Sequence, residues 1–333
     1  MKRKTASKKN LPKLCNFVLN ILLYIVMCTV LFSCCGSREA PLDPSALFSD
    51  AGEAYSRGDL FTCRELLIRV TALDPENPNV WRNLGTVSLD LGLYDDAVTA
   101  YLQVIEIDSS RVDVFTDITG ALLGAGRVSE ALRAGQLAVQ HTPEDGLAFN
   151  NYGMALMESG NFKDAAMCFN TAIRREPGNA SVLYNCGRIT LIAGDSEEAL
   201  MLFQSASAAD PGFLAPQLET ARTLGILQRH IEAEEKILSV LARIPSDPEA
   251  LNILAFSYSS QGRLEEAVSV LESLLESNPG DLHSRLGLAE CLYRNGDFSG
   301  ALENYQMFLE GLNDTTGTSE IRLRIHELEV VCD

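Results

Sequence analysis

The sequence predicts an all-α chain, a solenoid of about eight tandem helix-turn-helix repeats closed by a C-terminal capping helix. Three observations predict it. From Pro44 to Thr315 the chain divides without insertion into eight blocks of 34 residues, starting at 44, 78, 112, 146, 180, 214, 248 and 282. A fixed period of this length is the mark of stacked supersecondary units. The fifteenth column reads Gly58, Gly92, Gly126, Gly160, Gly194, Gln228, Gly262 and Gly296. The twentieth reads Cys63, Ala97, Ala131, Ala165, Ala199, Ala233, Ala267 and Ala301.

Composition supports a folded body. Of 333 residues 46% are hydrophobic and 22% charged, with 27 Lys and Arg against 45 Asp and Glu. That is enough apolar material for a core. Residues 1–33 hold six of the basic residues and no acid, which leaves the remainder at a net charge of −24. Such a body lacks the basic face that phosphate recognition needs, which argues against nucleic acid and against polybasic docking on anionic lipid.

The first element is an expected export signal over 1–33. Lys2, Arg3, Lys4, Lys8, Lys9 and Lys13 precede 24 uncharged residues, Leu14 to Ser37. A basic stretch followed by an apolar one is the pattern of a secretory leader. An uncleaved transmembrane anchor is the alternative, since a stretch of this length could span a bilayer. The end of the apolar run, Leu31-Phe32-Ser33-Cys34, resembles a bacterial lipobox. That resemblance implies a lipoprotein with Cys34 as the acylated, palmitate-bearing N-terminus, residues 34–43 as tether, and a place in the bacterial envelope on the inner or outer membrane.

The eight repeats follow, over 44–77, 78–111, 112–145, 146–179, 180–213, 214–247, 248–281 and 282–315. Glycine at the fifteenth column can take positive φ at low cost and so ends one helix. Proline at the thirty-second column, Pro75, Pro143, Pro177, Pro211, Pro245 and Pro279, stops the next. Alanine at the twentieth column lets the two helices approach closely. Just before it stand Asp96, Glu130, Asp164, Glu198, Glu232 and Glu266, expected in a helix's first turn, where the macrodipole favours negative charge. The last element, 316–333, has apolar residues at Ile321, Ile325 and Leu328, a spacing that predicts a helix covering the final open face.

The runs Trp81-x2-Leu84-Gly85 with Ala97-x3-Tyr101, and Tyr152-Gly153 with Ala165-x3-Phe169 and Pro177, resemble the tetratricopeptide repeat (TPR). Departures are Ser88 where that family prefers tyrosine, Gly135 where it prefers an aromatic, and Gln228 in place of the turn glycine. The resemblance implies a right-handed superhelix whose first helices line a concave groove through columns 2, 5, 6, 9, 12 and 13.

Chemistry-bearing motifs are absent from the sequence. The histidines His141, His230, His283 and His326 are scattered, and the cysteines lack metal-ligand or redox spacing. Gly120 to Gly126 (GALLGAG) reads as a helix hairpin, with no strand before it to make a phosphate loop. No catalytic residue, metal or cofactor is therefore expected.

The candidate site is the groove. Column 6 carries Asn83, Asp117, Asn151 and Asn185, a row of groups that could pair with the backbone of an extended peptide. A solvated or inter-repeat hydrogen-bonding role for these amides is the alternative. Column 5 adds Asn150 and Tyr184, and column 9 adds Arg188 and Arg222, which could hold a carboxylate or could pair with a neighbouring acid such as Glu219. The expected function is a non-enzymatic, membrane-anchored scaffold binding a protein or peptide segment in bacterial envelope assembly. The alternative is a ligand-binding accessory lipoprotein of a solute transporter.

Overall fold

The structure is a computed structural model that describes residues 43–312 and 318–332. The expected signal, Cys34 and nearly all of the tether lie outside the described residues. Two compact units are distinguished, one ending at Leu91 and the other beginning at Gly92. Among the described residues every element is an α-helix, 17 in all, and no strand occurs. None of these helices is long and apolar enough to cross a membrane.

The first unit holds α1 (Pro44–Ser56), α2 (Leu60–Leu73) and α3 (Pro78–Asp90). The second holds the pairs α5/α6 (Val114–Gly124, Val128–His141), α7/α8 (Gly146–Glu158, Phe162–Arg175), α9/α10 (Ala180–Ile192, Ser196–Ala209) and α11/α12 (Leu214–Ile226, His230–Leu241). It continues with α13/α14 (Pro248–Ser260, Leu264–Ser277) and α15/α16 (Leu282–Asn295, Phe298–Gly311). It opens with the single helix α4 (Tyr94–Ile107) and closes with α17 (Ser319–Cys332). The fold class is thus the predicted α-solenoid of consecutive helix pairs.

The local reasons are those in the sequence. Most first helices start on Asp or Asn caps, though α11 starts on Phe213: Asp145 accepts from the Leu147 N–H at 2.9 Å and Asp247 from the Ala250 N–H at 2.8 Å. The acids before the column-20 alanine sit in first turns, among them Glu130, Asp164, Glu232 and Glu266. At the turn column the glycines take positive φ, Gly160 at +82°, and Gln228 is forced to +59°. The column-4 Trp81 donates its indole N–H to the Pro75 carbonyl at 2.8 Å, locking a turn.

Packing explains the small residues. A Cβ on Gly187 would lie 2.6 Å from the Phe203 ring, so α9 reaches α10 only because that position lacks a side chain. Gly153 meets Phe169 the same way, and both rings are fully buried. Gly135 admits the Tyr152 ring from α7, which fills the place of the missing aromatic. Most core clusters join a helix pair to the next helix in the chain, as Leu156, Phe169, Val182 and Cys186 do across α7, α8 and α9, while Leu200 of α10 packs with Leu224 and Ala233 of the following pair. The last cluster seats Ile325 and Leu328 of α17 against Ala289, Ala301 and Tyr305. Cys63, Cys186 and Cys291 are buried, and burial pushes the Cys186 thiol up to about 12 and the half-buried Cys168 up to about 11. These cysteines are small core residues rather than reactive groups.

Candidate functional site

In the second unit the first helices of successive repeats touch one another directly, α5 to α7 to α9, and α11 to α13 to α15. Their shared face carries the predicted columns. The asparagines there are already engaged. Asn185 Nδ2 donates to Asn150 Oδ1 at 2.9 Å, Asn150 Nδ2 to Asn151 Oδ1 at 3.2 Å, and Asn151 Nδ2 to the Thr116 carbonyl at 3.1 Å. This relay ties α9 to α7 to α5. Asn150 and Asn185 are each 4% exposed, so their amides serve repeat-to-repeat stacking, with Asn151 half-buried at the edge. Asn83 belongs to the first unit, where it lines a cavity of about 220 Å³ with Phe48, Tyr55 and Cys63.

The two arginines differ. Arg222 bridges Glu219 at 2.7 Å and Glu249 at 2.5 Å. Arg188 has no carboxylate within ion-pair distance among the described residues, and its guanidinium stands 5.8 Å from the centre of the Tyr184 ring. Tyr184 is held by Phe213 edge-on at 5.2 Å and by Phe203 at 5.9 Å. Burial raises the Glu219 carboxyl above the usual glutamate range, Arg222 and Arg188 pull it down, and Glu249 pushes it up. Tyr184, Arg188, Glu219, Arg222 and Glu249 therefore share one electrostatic neighbourhood built from α9, α11 and α13.

Beyond it the same face becomes apolar. Ile192 is 53%, Ile226 54% and Phe256 60% exposed. A cavity of about 550 Å³ lies between α11 and α13, lined by Arg222, Ile226, Glu249, Asn252, Phe256 and His283 among others. A second, of about 470 Å³, lies between α13 and α15 and shares Asn252, Phe256 and His283 with the first. Its far wall is made by Tyr305, Glu320, Ile321 and Arg324, so α17 closes it. There Glu290 accepts from the Tyr305 hydroxyl at 2.8 Å and from Arg324 at 2.8 Å. Burial pushes the Tyr305 phenol up to about 12.

The sequence reading named Tyr184, Arg188 and Arg222 but stopped short of Glu249, Ile226, Asn252, Phe256 and His283. The signal was available. Those residues fall in columns 2, 13, 5, 9 and 2 of the following repeats, the columns already assigned to the groove. What the columns do not carry is which of them are exposed.

Tetratricopeptide-repeat family models match residues 50–111, 150–212 and 258–307, together more than half of the chain. No curated protein matches it. Among solved structures, the APC/C hetero-tetramer Cut9-Hcn1 is similar at 14% identity with a TM-score of 0.66, over 88% of this chain and 57% of that one. The chain thus spans a little over half the length of that relative. A tetratricopeptide repeat protein from Parabacteroides merdae is similar at 14% identity with a TM-score of 0.52, over 86% of this chain and 98% of that one. At such identities the likeness is one of fold. Repeat period, helix pairing and family matches agree: the chain belongs to the tetratricopeptide-repeat proteins.

Proposed function

We propose that the chain is a non-enzymatic scaffold that holds a protein segment on the first-helix face of its second unit, tethered through Cys34 to a bacterial membrane. One observation carries the binding reading. Arg188, outside ion-pair distance of any carboxylate among the described residues, and the exposed Ile226 and Phe256 lie together on the first-helix face. Arg188, Tyr184, Arg222 and the exposed side of Asn151 touch the partner, while Asn150 and Asn185 hold the helices that position them. The lipobox-like Leu31-Phe32-Ser33-Cys34 supports the tether, and a surface anchored this way suits envelope assembly. Because the tether has about ten residues, the first repeat starts within about 35 Å of the bilayer.

Two measurements test the reading together. A photo-crosslinking amino acid at position 226 should capture one protein at fixed stoichiometry, and the same group at the exposed Ile231 of α12 should not. Cys34→Ala should abolish labelling by a fatty-acid analogue. Equal capture at both positions rejects the face, and undiminished labelling rejects the anchor.

A further inference from the structure

In the first unit the second helix, α2, turns an apolar ridge outward. Phe61, at 76% the most exposed large apolar side chain among the described residues, and Ile68, at 42%, stand two turns apart on this helix, while Cys63, Leu67 and Val70 face its core. At 3.6 residues per turn Phe61, Ile68 and the exposed Ala72 fall in one stripe that points away from that core. Arg64 and the exposed Arg69 fall on its two sides, and Glu65 lies beside it.

The other repeats show that stacking does not require this ridge. Phe61 holds column 18, where six repeats carry a polar residue, among them Asp95, Lys163 and Glu197. Ile68 holds column 25, where five carry Gln, Asn or Glu. The apolar pair returns in α12 as Ile231 and Leu238, 68% and 44% exposed. There, however, Glu234 and Glu235 stand in the columns of Arg64 and Glu65, and Ser239 in that of Arg69. An apolar ridge with an arginine on each side belongs to α2 and not to α12.

The chain before α1 decides what lies beside that ridge. About ten residues join Cys34 to Pro44, and α1 packs directly on α2. Whether the apolar stretch Leu14 to Ser37 ends in an acylated Cys34 or stays as a span, it keeps α2 at a high effective concentration toward the bilayer. In a helix lying in the membrane interface, apolar side chains enter the boundary between headgroups and acyl chains, and flanking arginines run their stems along them to reach the headgroups. Charge does not drive such a contact here, because the net −24 of residues 34–333 opposes approach to anionic lipid.

We propose that the outer face of α2 docks on the membrane that carries the chain, with Phe61 and Ile68 in the headgroup–acyl boundary and Arg64 and Arg69 at the headgroups. The first repeat is then seated on the bilayer rather than swinging on its tether. This rests on the proposed anchoring, and the test separates the two.

The full chain is reconstituted into phosphatidylcholine vesicles whose acyl chains are dibrominated and quench tryptophan in the apolar layer. Trp81 of α3, the single natural tryptophan, sets the baseline in the parent. In variants whose melting matches the parent, Phe61→Trp should be quenched at least about twofold more than the column-equivalent Ile231→Trp, as insertion of one face requires. The difference should persist from roughly 0.1 to 0.5 M salt, because apolar insertion is not screened. Adding Ile68→Asp to Phe61→Trp should abolish it. Vesicle-bound chain quenched equally at positions 61 and 231 overturns the docking and leaves the anchor standing, and is the result if a second copy or the chain's own apolar stretch covers α2. Quenching at position 61 that vanishes in high salt or survives Ile68→Asp also overturns the apolar docking. A full chain that does not associate with the vesicles overturns anchor and docking together.

Discussion

At the scale of single residues, the repeat is most revealing where it is broken. Gln228 occupies the turn column with φ at +59°, the single non-glycine with positive φ among the described residues. A side chain in the left-handed region costs about 1–2 kcal/mol. Gln228→Gly should therefore stabilise the chain by about 1 kcal/mol, read as a rise in the urea midpoint with an unchanged slope. Glu219 is the other residue under strain, through its charge. Its carboxyl is raised by burial, so the folded state keeps a proton that the unfolded state has already lost between the ordinary glutamate range and the raised value. Stability must fall as pH rises through that window. Replacing Glu219 with Gln should remove this fall, and melting temperatures measured from pH 4 to 7 would show a flatter profile.

At the scale of elements, three second helices begin on an arginine that bridges backwards. Arg127 joins Glu130 at 2.8 Å to Asp95 at 2.9 Å on α4, and Arg263 joins Glu266 at 2.8 Å to Glu234 at 2.8 Å on α12. Arg229 joins Glu232 at 2.7 Å to Glu197 at 3.7 Å on α10. Each bridge spans second helices of neighbouring repeats. These arginines are more than one third exposed, so each bridge contributes little and is screened by salt. Arg263→Gln should lower the melting temperature only slightly, with the difference from the parent shrinking in roughly 0.5 M salt. The much larger contribution comes from the aromatic rings in the glycine notches, where Phe169→Ala would remove a fully buried side chain worth about 3–5 kcal/mol.

For the whole molecule, a stack in which each helix touches only near neighbours in the chain should lose its order locally. The C-terminal helix tests this. Ending the chain at residue 312 removes α17 and uncovers Ala289, Ala301 and Tyr305, while the Ile325 and Leu328 side chains each contribute about 1.5–3 kcal/mol by burial. Hydrogen exchange should accelerate first in α15 and α16 and leave α5 to α8 at parental rates. Acceleration spread evenly over the second unit would mean that the repeats are coupled far beyond their neighbours. The same truncation opens the chamber that Glu320, Ile321 and Arg324 wall off, so it alters the proposed binding face as well as the end of the stack.

The helix pairs, their turns and their capping acids were determined by the sequence alone, because each depends on local geometry: a glycine at Gly160, a first-turn acid at Glu232, a small residue at Ala165. Period and residue type report such constraints directly. The site was legible only in outline. Column positions assigned Asn150, Asn185, Arg188 and Arg222 to one face, yet Asn150 and Asn185 close a relay between helices, Arg222 is held by Glu219 and Glu249, and Arg188 stands by the Tyr184 ring with no carboxylate at ion-pair distance among the described residues. Which polar groups remain free is decided across 30 or more residues of sequence, by the distance at which one repeat's side chains meet the next. The exposure of Ile226 and Phe256 and the cavities on either side of that ring have the same origin. Local propensity specifies the repeat, and only the stacking of repeats decides which atoms are left for a partner.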